Sequence, residues 1–434
     1  MIEKPPQSKE LTTDITIQNM VDIDMAGVLK KIQDNYLYWD KVKYQKSKLS
    51  ATDLWFAVKL HRRLKSNILT FGKYQFSYIV TDFMQQTLHH FDLNIGGSLT
   101  SNIGIAETDK NKFIISSLIE ESISSSQIEG AVTTRKKAKE MLQKERKPIN
   151  KSEQMIMNNY ITMRKIVQIK DKDLSEELLL NIHKLITNST LDNKNEEGKF
   201  RESNEIHVVN SVTGEIAHTP PDYTELKKLI KDLCTFFNKE NATFIHPIVK
   251  ASIIHFLIGW IHPFVDGNGR TARALFYWYM LKKGYWLTEF LSISRIIKDS
   301  KKQYENAFIY TELDNNDMGY FISYQLKTMQ KAFESLKAYI NLKQKEVFQS
   351  ARFLKIPNVN ERMAQILKLL YDDGDRILDS KFIENRFKIS NFTARSDLKT
   401  LVQLGFLESV QVNKKKHNYI KSKQFEKQLR KHNV

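Results

Sequence analysis

The sequence predicts a mainly α-helical protein: a buried helical core with a β-hairpin flap, an N-terminal helical domain and a basic C-terminal domain. Three observations carry this. Apolar residues recur at i, i+3, i+4 and i+7 over long stretches, as in Leu178, Leu179, Ile182, Leu185 and Ile186. Strand-like alternation is rare. Residues Ile248 to Ile261 are apolar on nearly every face, which suits a central helix buried on all sides.

With 434 residues and a hydrophobic share of 41%, the chain can fill several cores. Its single cysteine, Cys234, excludes an internal disulfide and a multi-thiolate metal site, and is expected to be a small core residue. Met1 to Gln7 lacks the basic flank and apolar core of a secretory signal. The most apolar run, Ile253 to Ile261, is too short to span a bilayer. A cytoplasmic protein with no membrane partner is expected. The net charge of +17 favours anionic partners. From Lys381 to Lys431 there are thirteen Lys or Arg against four Asp or Glu, so the C-terminal part supplies about half of the excess. That basic run reads either as a solvated tail or as a binding surface.

Three regions follow from the punctuation of the chain. A helical N-terminal region covers 1–105 and ends near Gly96, Gly97 and Gly104; a central domain covers 106–345; a C-terminal domain covers 358–434, after Pro357. In the first region Tyr38, Trp39 and the stretch to Phe56 read as aromatic core rather than a ligand site. One hairpin candidate interrupts the helices. Glu205-Ile206-His207-Val208-Val209 and Glu215-Ile216-Ala217-His218 flank a Thr213-Gly214 turn and stop at Pro220-Pro221. An exposed strand edge of this kind can pair with an extended segment of another protein.

The segment richest in chemistry is His262-Pro263-Phe264-Val265-Asp266-Gly267-Asn268-Gly269-Arg270-Thr271-Ala272-Arg273. A Gly-Asn-Gly loop entering a helix leaves backbone N–H groups unpaired, and with the helix dipole these form an anion site suited to phosphate. Arg270 and Arg273 lie three apart on that helix, expected to run from Arg270 to Lys283 and close on Gly284, and could bind successive phosphates. Asp266 is a hard oxygen ligand suited to Mg²⁺ shared with them. His262, the one nearby group that titrates near neutrality, can accept a proton from an attacking hydroxyl. Singly, each residue has a plain alternative as a helix end, a turn or a solubilising charge. Together they place a base, a metal ligand, an anion nest and two phosphate clamps within twelve residues.

This segment resembles the signature of the Fic family, HPFxDGNGRxxR, at every specified position, and the resemblance extends over roughly residues 106–330. It implies AMP transfer from ATP to a Ser, Thr or Tyr hydroxyl of a protein, this chain itself among the targets, with pyrophosphate leaving. His262 would be the general base, Asp266 the Mg²⁺ ligand, Gly267, Asn268 and Gly269 the phosphate loop, and Arg270 and Arg273 the outer-phosphate ligands. The hairpin around Ile206, His207, Val208 and Val209 looks like the family's flap, and Tyr304 resembles a residue near the adenine. Upstream, at about 112–130, a helix with apolar residues at 114, 115, 118, 119 and 123 ends in Ser125-xxx-Glu129-Gly130. This resembles the family's inhibitory motif, [S/T]xxxE[G/N]. A Glu129 to Arg273 ion pair would then occupy the arginine that ATP needs; in some relatives the same glutamate helps water remove AMP.

In the C-terminal domain, helices at Glu361 to Leu370, Ser380 to Phe387 and Asn391 to Leu404 precede Ser409-Val410-Gln411-Val412, a Lys414-Lys415-Lys416 turn and Asn418-Tyr419-Ile420. That order resembles a winged helix, in which Arg395 and Lys399 could touch DNA and the lysine turn phosphate; the same module also serves for dimerisation or protein docking. Two rival functions stay open: a nucleotide-sensing, DNA-binding transcriptional regulator, or a Fic transferase with another donor. A homo-oligomer is compatible with either.

Overall fold

The computed structural model describes residues 2–6, 27–94, 107–209, 214–240, 242–285, 291–387, 389–411 and 417–432, without side chains at 107–115 and 343–349. It divides into two compact units, Met1–Leu336 and Lys337–Val434. Among the described residues, no helix is long and apolar enough to cross a membrane.

The first unit opens with α1 (Val28–Asn35), α2 (Trp39–Val42) and α3 (Ala51–Leu64), then the antiparallel hairpin β1 (Asn67–Phe71) and β2 (Tyr74–Tyr78), then α4 (Asp82–Asn94). It continues with α5 (Glu107–Ile128), α6 (Arg135–Gln143), α7 (Lys151–Ile169) and α8 (Glu176–Thr187). A second hairpin, β3 (Val208–Val209) and β4 (Ile216–His218), precedes α9 (Leu226–Asn238), α10 (Pro247–Ile261), α11 (Asn268–Lys282), α12 (Ile293–Asp299), α13 (Lys301–Leu313) and α14 (Gly319–Ala351), whose residues from Lys337 on belong to the second unit. The mainly helical class is as expected. The hairpin β1–β2 is a correction to the expectation of a single hairpin: Ile68, Thr70 and Gln75 alternate with inward residues around a two-residue Gly72-Lys73 turn, and Gly72 takes the positive φ of 59° that this turn needs. The expected strand from 205 is shorter, starting at Val208, with Ile206 and His207 outside it; its tip, 210–213, lies outside the described residues, as do Gly96, Gly97 and Gly104.

The core of this unit is centred on α10 and α11. Pro247 opens α10 behind the His246 cap, and every residue from Ile248 to Ile261 except Gly259 is buried. The same apolar cluster takes in Tyr38, Trp39 and Trp55 from the N-terminal region, which therefore shares one core with the central helices. A smaller satellite core packs Ile119 and Ile123 of α5 against Ala138, Met141 and Leu142 of α6 and Met155 and Ile156 of α7.

The second unit contains α15 (Glu361–Asp372), β5 (Leu378–Asp379), α16 (Ser380–Phe387), α17 (Asn391–Gln403), β6 (Leu407–Gln411), β7 (His417–Lys421) and α18 (Phe425–Lys431). Its three strands form an antiparallel sheet in the order β5-β7-β6 beside its own apolar core, which includes Leu367, Leu398, Leu401 and Phe406. The Lys414-Lys415-Lys416 turn lies outside the described residues.

Candidate active site

The site is the turn between α10 and α11. His262 caps α10 in the left-handed conformation, φ 47° and ψ 58°, with its N–H bonded to the Ile258 carbonyl. That strained backbone turns the imidazole out of the helix line. Its Nδ1 stands 3.1 Å from the Gly259 carbonyl. A carbonyl only accepts, so Nδ1 carries the ring proton and Nε2 is left as an acceptor. Burial holds the imidazole pKa down to about 4, so the ring is neutral at pH 7.

Two residues that the sequence does not single out hold this turn. Arg201, almost fully buried, donates from Nε to the His262 carbonyl at 3.0 Å and from its backbone N–H to the Pro263 carbonyl at 2.9 Å. The rest of its guanidinium bonds the carbonyls of Ser203 and Pro221. His183 donates from Nε2 to the Asp266 carbonyl at 2.8 Å, accepts at Nδ1 from the Gly198 N–H at 3.0 Å, and stacks on Phe264. Burial lowers its pKa to about 4 as well, so it stays the neutral tautomer that both bonds require. His218, on β4, faces the Trp260 carbonyl at 2.7 Å and the Glu312 carboxylate at 2.8 Å, tying the β3–β4 hairpin to the end of α10. Only tertiary packing reveals these roles.

Gly267 is a glycine for conformational and steric reasons. Gly267 has φ 84°, and a Cβ there would stand 2.9 Å from Thr187 Cγ2. The Asn268 side chain is committed to the turn, accepting from the Phe264 N–H at 3.0 Å and donating to the Phe264 carbonyl at 2.8 Å. A Cβ on Gly269 would lie 2.2 Å from Glu129 Oε1. The Glu129 carboxylate thus rests on the N-terminal turn of α11, where anions are favoured.

Helix α11 begins at Asn268, two residues before the expected start, and ends at Lys282 with Gly284 at φ 84°. Arg270 and Arg273 are both buried. Arg270 Nη1 donates to the Ile186 carbonyl at 3.1 Å, while Nε and Nη2 have no hydrogen-bond partner; Nη2 lies 3.6 Å from the Asp266 carboxylate. Arg273 donates from Nε to Ser125 Oγ at 2.8 Å, and from Nη2 to the Ser125 carbonyl at 3.0 Å and Glu129 Oε1 at 2.8 Å; its Nη1 has no partner. Buried guanidinium N–H groups without acceptors are costly, and an anion in the turn would satisfy them. The Asp266 side chain, 52% exposed beside them, fits a Mg²⁺ that takes few protein ligands and shares phosphate oxygens. Tyr304 bonds His255 Nε2 at 2.9 Å, and burial raises its pKa.

Helix α5 ends at Ile128, and Glu129 follows it directly in the closing turn. Ala131 N–H reaches back to the Ser126 carbonyl and Gly130 N–H to the Gln127 carbonyl, with Gly130 at φ 93°, the Schellman arrangement.

Residues 173–280 match the family model described as Fic/DOC family. The chain carries a Fic domain. Over 90 residues it is 36% identical to proteins from Drosophila sechellia and Drosophila melanogaster named "Protein adenylyltransferase Fic", covering 21% of this chain and 17% of each of theirs. The match thus spans about a sixth of those relatives' length. Among solved structures, Fic-1 from C. elegans, residues 134–508, is similar at a TM-score of 0.51 and 18% identity, covering 76% of this chain and 87% of that one. This is a likeness of fold.

Proposed function

We propose that this chain transfers AMP from ATP to a Ser, Thr or Tyr hydroxyl of a protein. The observation that carries the reading is the trio of buried guanidinium nitrogens without a hydrogen bond, Arg270 Nε and Nη2 and Arg273 Nη1, beside a helix N-terminus and a histidine whose Nε2 is left as an acceptor. Triphosphate oxygens supply the acceptors those nitrogens lack. The incoming hydroxyl oxygen attacks the α-phosphorus, its proton passes to His262 Nε2, and the bond from the α-phosphorus to the bridging oxygen of the β-phosphate breaks. Pyrophosphate leaves against Arg270, Arg273 and the N–H groups of the 267–269 turn. Mg²⁺ held by Asp266 would neutralise phosphate charge. The β3–β4 flap, with Val209 and Ile216 exposed, offers an edge for the target segment.

In this arrangement Glu129 holds Arg273 and covers Gly269, so the resting enzyme is inhibited. The test incubates the protein with α-labelled and γ-labelled ATP in parallel. Label should pass to protein from the α position only, rise about 10- to 100-fold in Glu129→Gly, the range of a charge-assisted contact, and vanish in Glu129→Gly/His262→Ala. Transfer from the γ position would replace this reading with phosphorylation.

A second reading concerns the unit 337–434, where α17 presents a solvent face of Asn391, Phe392, Arg395, Ser396 and Lys399. The acid of that helix, Asp397, is buried and paired with Arg362 at 2.8 Å, so the exposed face is basic. Such a face on a helical unit with a three-stranded sheet suits the major groove of DNA. Arg395→Ala/Lys399→Ala should weaken binding of a random duplex at least about tenfold and flatten its salt dependence; equal binding would leave protein docking as the role of this face.

A further inference from the structure

The contact between α5 and α11 is a polar ladder with matched spacing. On α5 and its closing turn the rungs are Glu121, Ser125 and Glu129; on α11, running the opposite way, they are Tyr277, Arg273 and Gly269. Both series step by four residues, so each forms one stripe along its helix. The two rungs nearest the turn belong to the site already described. The far rung does not. Glu121 is buried, and its carboxylate receives the Tyr277 hydroxyl at 2.8 Å, the Ser292 hydroxyl at 3.1 Å, the Ser294 N–H at 3.0 Å and the Ser294 hydroxyl. The last two groups stand at the start of α12, so one carboxylate joins three helices. Tyr277 in turn accepts from the Ile293 N–H at 2.9 Å and lies 2.9 Å from the Leu291 carbonyl.

A buried carboxylate is a poor source of net stability but a strong source of register, because sliding the helix by one residue would strand it without donors. An apolar seam would tolerate that slide. At 1.5 Å per residue, Glu121 is about 12 Å along α5 from Glu129, and Tyr277 is about 12 Å along α11 from Gly269. Each lies one helical turn further from the site than Ser125 and Arg273.

We infer that Glu121 is a positioning residue: its bond to Tyr277 and its cap on α12 lock α5 in the register that seats Glu129 on Arg273, and so set the strength of inhibition. This rests on the reading of Glu129 as an inhibitor. The experiment is a mutant cycle on the full chain with α-labelled ATP, comparing wild type, Glu121→Gln, Glu129→Gly and the double variant, with hydrogen exchange of the 116–129 amides measured on each. Loss of one buried hydrogen-bonded anchor should raise transfer by Glu121→Gln about three- to tenfold over wild type. In the Glu129→Gly background the same change should alter transfer by less than about twofold, because its effect passes through Glu129. Amides near 124–129 should exchange faster in Glu121→Gln. Tyr277→Phe, which keeps the ring and removes the rung, should act in the same direction should Glu121→Gln fold poorly. Unchanged or lowered transfer in the wild-type background by both variants would overturn the inference, as would equal effects in both backgrounds. If Glu129→Gly itself is no more active than wild type, the inhibitor reading fails, and the exchange data decide the register claim: unchanged protection at 124–129 overturns it.

Discussion

At the scale of single residues, protonation is governed by burial. His183 and His262 are both held near pKa 4 by desolvation, against about 6.5 for the unfolded chain. Below pH 6.5 the unfolded state therefore binds more protons than the native one. The stability these histidines contribute is complete above pH 6.5 and is lost as pH falls toward 4. Denaturant midpoints measured between pH 7 and pH 4.5 should fall, and Glu129→Gly should keep a flat rate profile from pH 8 down to about 5, since His262 is already deprotonated there. A rate that halves at pH 6.5 would contradict the buried, neutral base. Gly267 supplies a second test. With φ at 84° and Thr187 Cγ2 in the path of a Cβ, Gly267→Ala should cost about 1–3 kcal/mol by thermal melting.

At the scale of elements, the end of α5 is where chemistry and backbone meet. The Schellman turn at Gly130 fixes the angle at which Glu129 leaves the helix. No atom would meet a Cβ at Gly130, so Gly130→Ala isolates the cost of its φ of 93°. That substitution should destabilise the turn by about 1 kcal/mol and, on the proposed function, raise AMP transfer modestly by loosening the seat of Glu129; labelling with α-labelled ATP at matched protein concentrations measures it.

At the scale of the whole molecule, the N-terminal helices are bound into the unit 1–336 by a buried charge network. Arg62 bonds the Tyr320 hydroxyl at 2.6 Å and lies 3.6 Å from Asp317, while Lys59 bonds Asp314 at 2.8 Å and Tyr36 donates to Asp317 at 2.7 Å. Arg62→Ala would leave two buried carboxylates undercompensated and should cost about 3–5 kcal/mol in chemical denaturation. The unit 337–434 has its own core, so Leu398→Ala should cost about 2–5 kcal/mol there.

Much of the candidate site was legible because it is contiguous: His262, Asp266, the 267–269 turn, Arg270 and Arg273 fall within twelve residues, and local chain geometry alone brings a turn and one helix face together. The helical class and the central helix ending at Ile261 were likewise written in apolar periodicity. The β1–β2 hairpin is hard to see in apolar periodicity because each strand is only five residues long, and the Gly72-Lys73 turn is its one local signal. What the sequence alone could not determine are contacts between residues far apart in the chain. Arg201 on the His262 carbonyl, His183 beneath Asp266, His218 on Trp260, and Glu121 on Tyr277 are ordinary residues in helices and loops until packing supplies their partners. Nor does sequence show that Asn268 serves the turn with its side chain, or that three guanidinium nitrogens are buried without acceptors. Chain order sets which chemical groups are available and where helices begin and end; burial decides which of those groups lose water, and so which must find a partner or await a ligand.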